Sequence, residues 1–184
     1  NDCINDNYLP LNVRYFGDVR QFDEQILIDE KIDTIICLSA ISNDPMSNKF
    51  GDVTNDVNFK STIELAKLAK KNGIKNFIFA SSCSVYGFAE NGEVDENSQV
   101  NPLTPYAKSK LDSEFELSFL ADENFKVTCL RFATACGMSD RLRLDLVLND
   151  FVASAYVGKI EILSDGTPWR PLIDTQDMAR AIDW

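Results

Sequence analysis

The sequence has no histidine in 184 residues, and only 18 Lys and Arg stand against 29 Asp and Glu. Without histidine the chain lacks the commonest metal ligand and the usual base at neutral pH. We therefore predict no metal site, and a base would have to be a Tyr, Lys, Cys or carboxylate. The net charge of −11 disfavours binding to nucleic acid or to an anionic membrane, because both would repel the average surface.

Long apolar runs and paired cysteines are also lacking. No apolar run approaches the roughly 20 residues needed to cross a bilayer, and the first residues have neither the basic nor the apolar region of a leader peptide. The five cysteines are odd in number and never spaced Cys-x-x-Cys, so we expect reduced core residues. These absences favour a cytoplasmic protein that does not bind a membrane.

Short segments rich in β-branched and aromatic residues alternate with longer segments of helical period. This alternation predicts an α/β fold of βαβ units around a buried parallel sheet. Strands are predicted at residues 13–16, 34–39, 76–81, 126–132 and 160–163. Helices are predicted at residues 22–30, 52–72, 105–121 and 145–157, with a last one from 175. Beyond residue 137 the pattern is less regular, which indicates a substrate-binding region over 138–184.

The strongest chemical signal lies at the start of a predicted helix. Tyr106 and Lys110 are four residues apart, which places them on one helical face. A nearby ammonium favours the phenolate form of a tyrosine, whose pKa is about 10 when unperturbed, and so makes it a better general base. Taken alone, the spacing is common and indicates an exposed helix face.

The preceding strand supplies the context for Tyr106. An apolar segment, residues 77–80, ends abruptly in serine hydroxyls that include Ser82 and Ser84. Ligands of parallel sheets bind at the carboxyl ends of the strands, where hydroxyls can hold a substrate oxygen. The alternative interpretation is an ordinary serine-rich strand end that caps a turn.

Together these residues resemble the extended short-chain dehydrogenase/reductase family, in particular its NAD-dependent nucleotide-sugar epimerases and dehydratases. Five further segments resemble the family in the same order along the chain. They are Gly17-Asp18-Val19-Arg20, residues 38–42, Asn55 with Asn58, residues 130–137, and residues 166–174 around Arg170.

The resemblance implies a Rossmann-like, doubly wound parallel sheet over residues 1–137 that binds NAD or NADP. The implied catalytic residues are Ser82, Tyr106 and Lys110. The implied cofactor contacts are Asp18, Val19, Leu38, Ser39, Ala40, Asn55, Tyr106, Lys110 and Ala133. The implied contacts to a nucleotide-diphosphate sugar are Ser84, Thr134, Arg143, Asn149 and Arg170.

The sequence departs from the family pattern at the glycine-rich loop, at Cys83-Ser84, and at Thr134 and Asp174, where Asn and His are usual in the family. The glycine-rich loop after the first strand is absent, so we expect a chain that lacks the first βαβ unit, is incomplete at both ends and binds NAD weakly by itself. The residue that separates NAD from NADP follows the second strand, and the two cofactors are therefore not distinguished. Cys83-Ser84 stands where 4,6-dehydratases of the family have Asp-Glu, which disfavours dehydration.

The implied function is an NAD(P)-dependent nucleotide-sugar epimerase or reductase, in which Tyr106 removes a hydroxyl proton while the hydride of that carbon passes to the nicotinamide. Two alternatives stay open: a catalytically inactive structural or NAD(P)-sensing subunit, against which the intact Ser82, Tyr106 and Lys110 argue, and a reductase of a non-sugar carbonyl, which would not need Arg170. Helices 52–72 and 105–121 resemble the family's dimer-forming pair, so we expect a homodimer.

Overall fold

The structure is a computed structural model that describes residues 13–42, 44–88, 92–162, 164–167 and 169–184. It divides the chain into two compact units. The larger is Phe16–Arg131, and the smaller combines the described residues of Asn1–Tyr15 and of Phe132–Trp184. The predicted division into a cofactor domain over 1–137 and a substrate region over 138–184 concerns function rather than compactness and stays a prediction.

The larger unit is built on a three-stranded sheet in the order β1 (Thr34–Cys37), β2 (Asn76–Ser82), β3 (Lys126–Phe132). Strands β1 and β2 pair in parallel, with Thr34 opposite Asn76 and Cys37 opposite Phe79. Successive side chains of a strand point to opposite faces, and in β2 this buries Phe77 and Phe79 completely. The sheet therefore has one strand at its centre whose apolar side chains hold it in the core.

Helices cover this sheet. In chain order they are α1 (Gln25–Asp29), α2 (Asp44–Lys49), α3 (Gly51–Asn55), a π-helical segment (Asp56–Lys60), α4 (Ser61–Lys71) and α5 (Pro105–Leu120). Two 3₁₀ turns lie at Val19–Gln21 and Cys83–Tyr86. The hydrophobic core draws on α1, α4, α5 and the strands with the residues just before them. It consists of Leu27, Cys37, Ile63, Leu65, Ala66, Ala69, Ile74, Phe77, Phe79, Leu117 and Phe125.

The ends of the two long helices follow from their sequences. Helix α5 begins where the Thr104 hydroxyl accepts a hydrogen bond from the backbone N–H of Ala107, at 3.1 Å, with Pro105 in the first position. Helix α4 ends at two lysines, which suit the negative helix end, followed by Gly73 with a φ of 76°. The position of Tyr106 in the first turn of α5 is thus set by local capping.

The smaller unit contains a two-stranded parallel pair, β4 (Thr134–Cys136) and β5 (Leu172–Asp174), in which Thr134 lies opposite Leu172. Helix α6 (Val147–Tyr156) lies between the strands in the chain, and α7 (Thr175–Asp183) follows β5 directly. The carboxylate of Asp174 caps α7 by accepting a hydrogen bond from the backbone N–H of Gln176, at 2.8 Å.

Parallel strands joined through helices confirm the predicted α/β fold class. The predicted strands at 13–16 and 160–163 are wrong for the residues that the structure describes, which excludes residue 163. Phe16 is 83% exposed and Ile160 is 50% exposed. A β-branched or aromatic run becomes a strand only where a neighbour accepts its backbone hydrogen bonds, and no strand of the described chain pairs with either segment.

Candidate active site

Strand β2 ends in a pair of hydrogen-bonded serines. Ser82 is its last residue and caps the following 3₁₀ turn: its Oγ accepts hydrogen bonds from the backbone N–H of Ser84, at 3.2 Å, and from the Ser84 hydroxyl, at 3.0 Å. Both serines are half-buried. This arrangement uses the acceptor sites of Ser82 and leaves its O–H available as a donor.

Lys110 connects the second turn of α5 to the same end of β2. Its Nζ donates a hydrogen bond to the backbone oxygen of Ala80, two residues before Ser82, at 2.7 Å. The same ammonium lies 5.7 Å from the ring centroid of the half-buried Tyr106 and 4.5 Å from that of Phe79. The predicted catalytic residues therefore gather at the carboxyl end of β2.

The Lys110 side chain is almost completely buried, with 2% of the residue exposed. Burial lowers the pKa of Lys110 to about 8, because the charged form loses its hydration. Of the three N–H donors of the ammonium, one reaches Ala80, and no second hydrogen-bond acceptor is found among the described residues. Two donors of a buried cation are thus free to hold another oxygen-rich group.

The predicted cofactor residues after β1 lie at the neighbouring strand end. Leu38 and Ser39 are exposed and Ala40 is half-buried. The next residue, Ile41, is held by the buried amide of Asn58, whose Oδ1 accepts from the Ile41 N–H at 2.7 Å and whose Nδ2 donates to the Ile41 carbonyl at 3.0 Å. The segment after β1 is therefore fixed by side-chain hydrogen bonds rather than by the sheet.

Asn58 also connects this segment to α5, because its Nδ2 donates to the hydroxyl of the buried Ser109, next to Lys110, at 3.2 Å. It lies in the π-helical segment, and π turns inside helices are frequent at functional sites. The predicted contact Asn55 is half-buried at the end of α3, immediately before that segment.

Asp18 and Val19 form the start of the first 3₁₀ turn, which contacts the π-helical segment. The exposed carboxylate of Asp18 accepts hydrogen bonds from the side chain and backbone of Arg20, which lower the pKa of Asp18 to about 2. Exposed ion pairs contribute little to stability. In the larger unit, the predicted cofactor residues that precede residue 132 thus lie on neighbouring elements.

The other predicted contacts lie in the smaller unit. The half-buried Ala133 and Thr134 begin its sheet, and the Thr134 N–H donates to the carbonyl of Pro171 at 3.0 Å. Asn149 donates from Nδ2 to the backbone oxygen of Arg143 at 3.0 Å, while Arg170 is exposed. The structure brings Arg143 and Asn149 together, and the roles of all five residues stay predictions.

One half-buried ion pair was not predicted from the sequence. Arg131 of β3 and Glu114 of α5 approach to 2.7 Å, with side chains 20% and 11% exposed. The signal was present, since Arg131 is a charge inside an otherwise apolar strand end and a buried charge needs a partner. The partner was not predictable because it comes from a different element.

Cysteine, metal and membrane features complete the description. Four cysteines are free thiols, with Cys37 buried and the other three half-buried, and Cys3 lies outside the described residues. Within the described ranges, no group of three or more His, Cys, Asp and Glu side chains is placed to hold a metal ion. None of the helices described is long and apolar enough to span a membrane.

Comparison with known proteins identifies the family. The family model described as "NAD dependent epimerase/dehydratase family" matches residues 8–184. The chain belongs to that family. The resemblance drawn from the sequence motifs is thereby confirmed, and so is the Rossmann-like fold, because the solved structures that match are Rossmann-fold members of the same kind.

Three relatives illustrate the similarity of this family member. The UDP-glucose 4-epimerase of Lactobacillus helveticus is 31% identical over 129 residues, which are 68% of this chain and 39% of that protein. MoeE5, solved with UDP-glucose and NAD, has a TM-score of 0.80 at 29% identity and covers 91% of this chain and 56% of its own. UDP-N-acetylglucosamine 4-epimerase from Methanobrevibacter ruminantium M1, solved with UDP-N-acetylmuramic acid, has a TM-score of 0.79 at 27% identity over 90% and 54%.

The chain therefore spans about half, or less, of the length of the proteins it matches.

Proposed function

We propose that the protein is an NAD(P)-dependent nucleotide-sugar epimerase or reductase whose proton-transfer residues are Ser82, Tyr106 and Lys110. The observation that carries the proposal is the buried Lys110 ammonium, which contacts both the Tyr106 ring and the backbone of β2. Nucleotide-sugar epimerases among the relatives support the substrate class.

Tyr106 is proposed to accept the proton of a sugar hydroxyl as the general base. The Lys110 ammonium favours the negative phenolate form, and it does so strongly because it is buried, where charges are poorly screened. Ser82 has an O–H donor left after its two bonds to Ser84, and this donor is proposed to hold the same sugar oxygen. Ser84 would then orient Ser82 and contact the sugar.

The residues present suit a nicotinamide cofactor. NAD or NADP, when bound, supplies the oxidation and reduction of the sugar carbon. The two remaining donors of Lys110 match a pair of ribose hydroxyls, and the exposed backbone after β1 leaves room for a ligand at the neighbouring strand end. The residues proposed to hold it are Asp18, Val19, Leu38, Ser39, Ala40, Asn55, Tyr106, Lys110 and Ala133.

The substrate diphosphate is proposed to bind Arg170, with Thr134, Arg143 and Asn149 as further contacts. The exposed guanidinium of Arg170 offers a planar set of donors that suits phosphate oxygens. Arg143 already pairs with Asp145, at 2.6 Å, so its contact with a phosphate would require a rearrangement of that pair.

A substrate panel tests the proposed function. The complete protein is incubated with NAD or NADP in either redox state and with UDP- and dTDP-linked hexoses or an apolar ketone. The products are separated by chromatography while absorbance at the reduced-cofactor band is followed. We expect conversion of at least one nucleotide sugar, without net cofactor reduction for an epimerase. Cofactor binding without any turnover, or turnover only of apolar ketones, would contradict the proposal in favour of a sensing subunit or a non-sugar reductase.

We further propose that the protein forms a homodimer through α5. Phe115 and Phe119 are 62% and 68% exposed, and their rings make an edge-to-face contact with centroids 4.8 Å apart. A second copy would cover this apolar pair, and two-fold homodimers are the commonest assembly. A cytoplasmic location is likewise proposed, because the four free thiols fit a reducing compartment.

A further inference from the structure

The Glu114–Arg131 ion pair contacts the elements that carry the proposed proton-transfer residues. Its carboxylate lies on α5, four residues after Lys110 and eight after Tyr106, so the three side chains follow one face of the helix. Helix α5 therefore presents the proposed base, its cation and a half-buried carboxylate in successive turns.

The carboxylate reaches the strand that ends in Ser82. Glu114 accepts a hydrogen bond from the hydroxyl of the buried Ser81, the residue directly before Ser82. It also accepts from Arg131 in a two-pronged arrangement, with Nε at 3.1 Å from both carboxylate oxygens and Nη2 at 2.7 Å from Oε2. Such a planar pair fixes orientation as well as distance.

The guanidinium reaches the turn that contains Ser84. Its Nη1 donates to the phenol oxygen of Tyr86 at 3.0 Å, and its central carbon lies 5.0 Å from the centroid of the same ring. Tyr86 is the last residue of the 3₁₀ turn Cys83–Tyr86. The ion pair thus binds the chain on both sides of the segment from Ser82 to Ser84.

We infer that Glu114 is a positioning residue for the reaction: together with Arg131 it holds the serines at the end of β2 in register with Tyr106 and Lys110. Stability alone does not explain the pair, because an ion pair that is largely withdrawn from water is often no more stabilising than apolar residues of the same volume. What this pair adds is a defined geometry between a helix, a strand end and a turn. The inference rests on the proposed function and deepens it.

The test compares Glu114→Gln with Asp122→Asn in the complete protein. The first change removes the charge of Glu114 and keeps its shape. The second removes the partner of Lys70, at 2.7 Å, in an ion pair beside Leu120, the last residue of α5, away from the strand end and the turn at the site. Kinetics on the nucleotide sugar are measured at a temperature at which circular dichroism shows both variants folded. We expect kcat of Glu114→Gln to fall about 10- to 100-fold, with KM and the Kd of NAD within threefold of wild type, because misplaced reacting groups slow the chemical step. Asp122→Asn should keep the wild-type kcat.

A wild-type kcat in Glu114→Gln, or an equal loss in Asp122→Asn, would overturn the inference. Should Glu114→Gln fail to fold, Tyr86→Phe decides, since it removes only the hydroxyl that accepts a hydrogen bond from Arg131. A several-fold lower kcat supports the inference and an unchanged kcat overturns it. Failure of this inference can be distinguished from failure of the proposed function. A wild-type enzyme that is inactive on every nucleotide sugar refutes the function. An active wild type with an equally active Glu114→Gln variant refutes only the positioning role.

Discussion

Among single residues, Lys110 shows two opposite effects of burial, one on its chemistry and one on stability. Its ammonium is useful because it is buried beside Tyr106, and burial is also what makes the charge costly for the folded protein. The hydrogen bond to Ala80 compensates only part of that cost, since the pKa of Lys110 remains lowered to about 8 by desolvation. The rest of the fold therefore keeps Lys110 buried, and the free energy of unfolding of the protein is lower as a result.

This cost predicts a pH dependence of stability. The pKa of Lys110 is lowered from 10.5 to about 8 in the folded protein, so the unfolded chain binds the proton more readily between these values. The penalty is fully present below pH 8 and disappears as the pH rises toward 10.5, and a shift of this size corresponds to about 3 kcal/mol. We expect Lys110→Met to have a higher free energy of unfolding than wild type at pH 7 and to lose this advantage by pH 10.5. Urea unfolding at several pH values measures the difference. A difference that is constant or grows with pH would contradict the assignment of the cost to Lys110.

At the scale of elements, the exit of the 3₁₀ turn after Ser82 depends on Gly87. This residue has φ 66° and ψ −125°, and a Cβ there would lie 2.0 Å from the backbone oxygen of Asn101. Asn101 in turn donates its N–H to the carbonyl of Val85 at 2.9 Å. The turn that carries Ser84 is therefore packed directly against the segment before α5.

We expect Gly87→Ala to destabilise the protein considerably more than Gly73→Ala, with Gly73 as the matched control. Both have positive φ, which costs a residue with a side chain about 1–2 kcal/mol, but a Cβ at Gly73 meets nothing within 4 Å. The close contact at Gly87 should add about 1–3 kcal/mol. Chemical denaturation of the two variants measures the difference, and equal losses would show that the close approach to Asn101 is not required.

The elements also show what the sequence can and cannot predict. Strand β3 was predicted with its observed bounds and α5 within one residue, because a segment of mostly uncharged, strand-favouring residues and a proline at a helix start are strong local signals. Helix 52–72 is in fact α3, the π-helical segment and α4 in succession. The strands β4 and β5 have three residues each, too few for a periodic pattern, and α2 was likewise missed.

At the scale of the whole molecule, the exposed aromatic pair of α5 predicts an assembly. We expect sedimentation of the complete protein to show a dimer, and Phe119→Ser to weaken it at least tenfold by removing apolar area from the interface. Phe88→Ser, at a residue that is 76% exposed and outside α5, is the control and should leave the dimer intact. A wild-type monomer, or a Phe119→Ser variant with unchanged dimer affinity, would refute the interface.

The candidate site was predictable where its residues come from one helix or one strand end, as Tyr106, Lys110 and Ser82 do. Contacts assembled from separate elements were not: the partner of Arg131 lies 17 residues earlier, on α5, and Asn58 bonds to Ile41 across the same distance in sequence. Local spacing contains no information about such pairs, because only the folded sheet brings their elements together.

A double-mutant cycle on kcat tests whether Tyr106 and Ser82 act on one substrate oxygen, as proposed. We expect Tyr106→Phe to lower kcat by about 10²- to 10⁴-fold and the double variant with Ser82→Ala to lose hardly more, because residues that act as one unit are not additive. Tyr156→Phe, at a residue that is 93% exposed, should keep the wild-type kcat. A Tyr106→Phe variant with wild-type kcat, or losses that multiply in the double variant, would contradict the account.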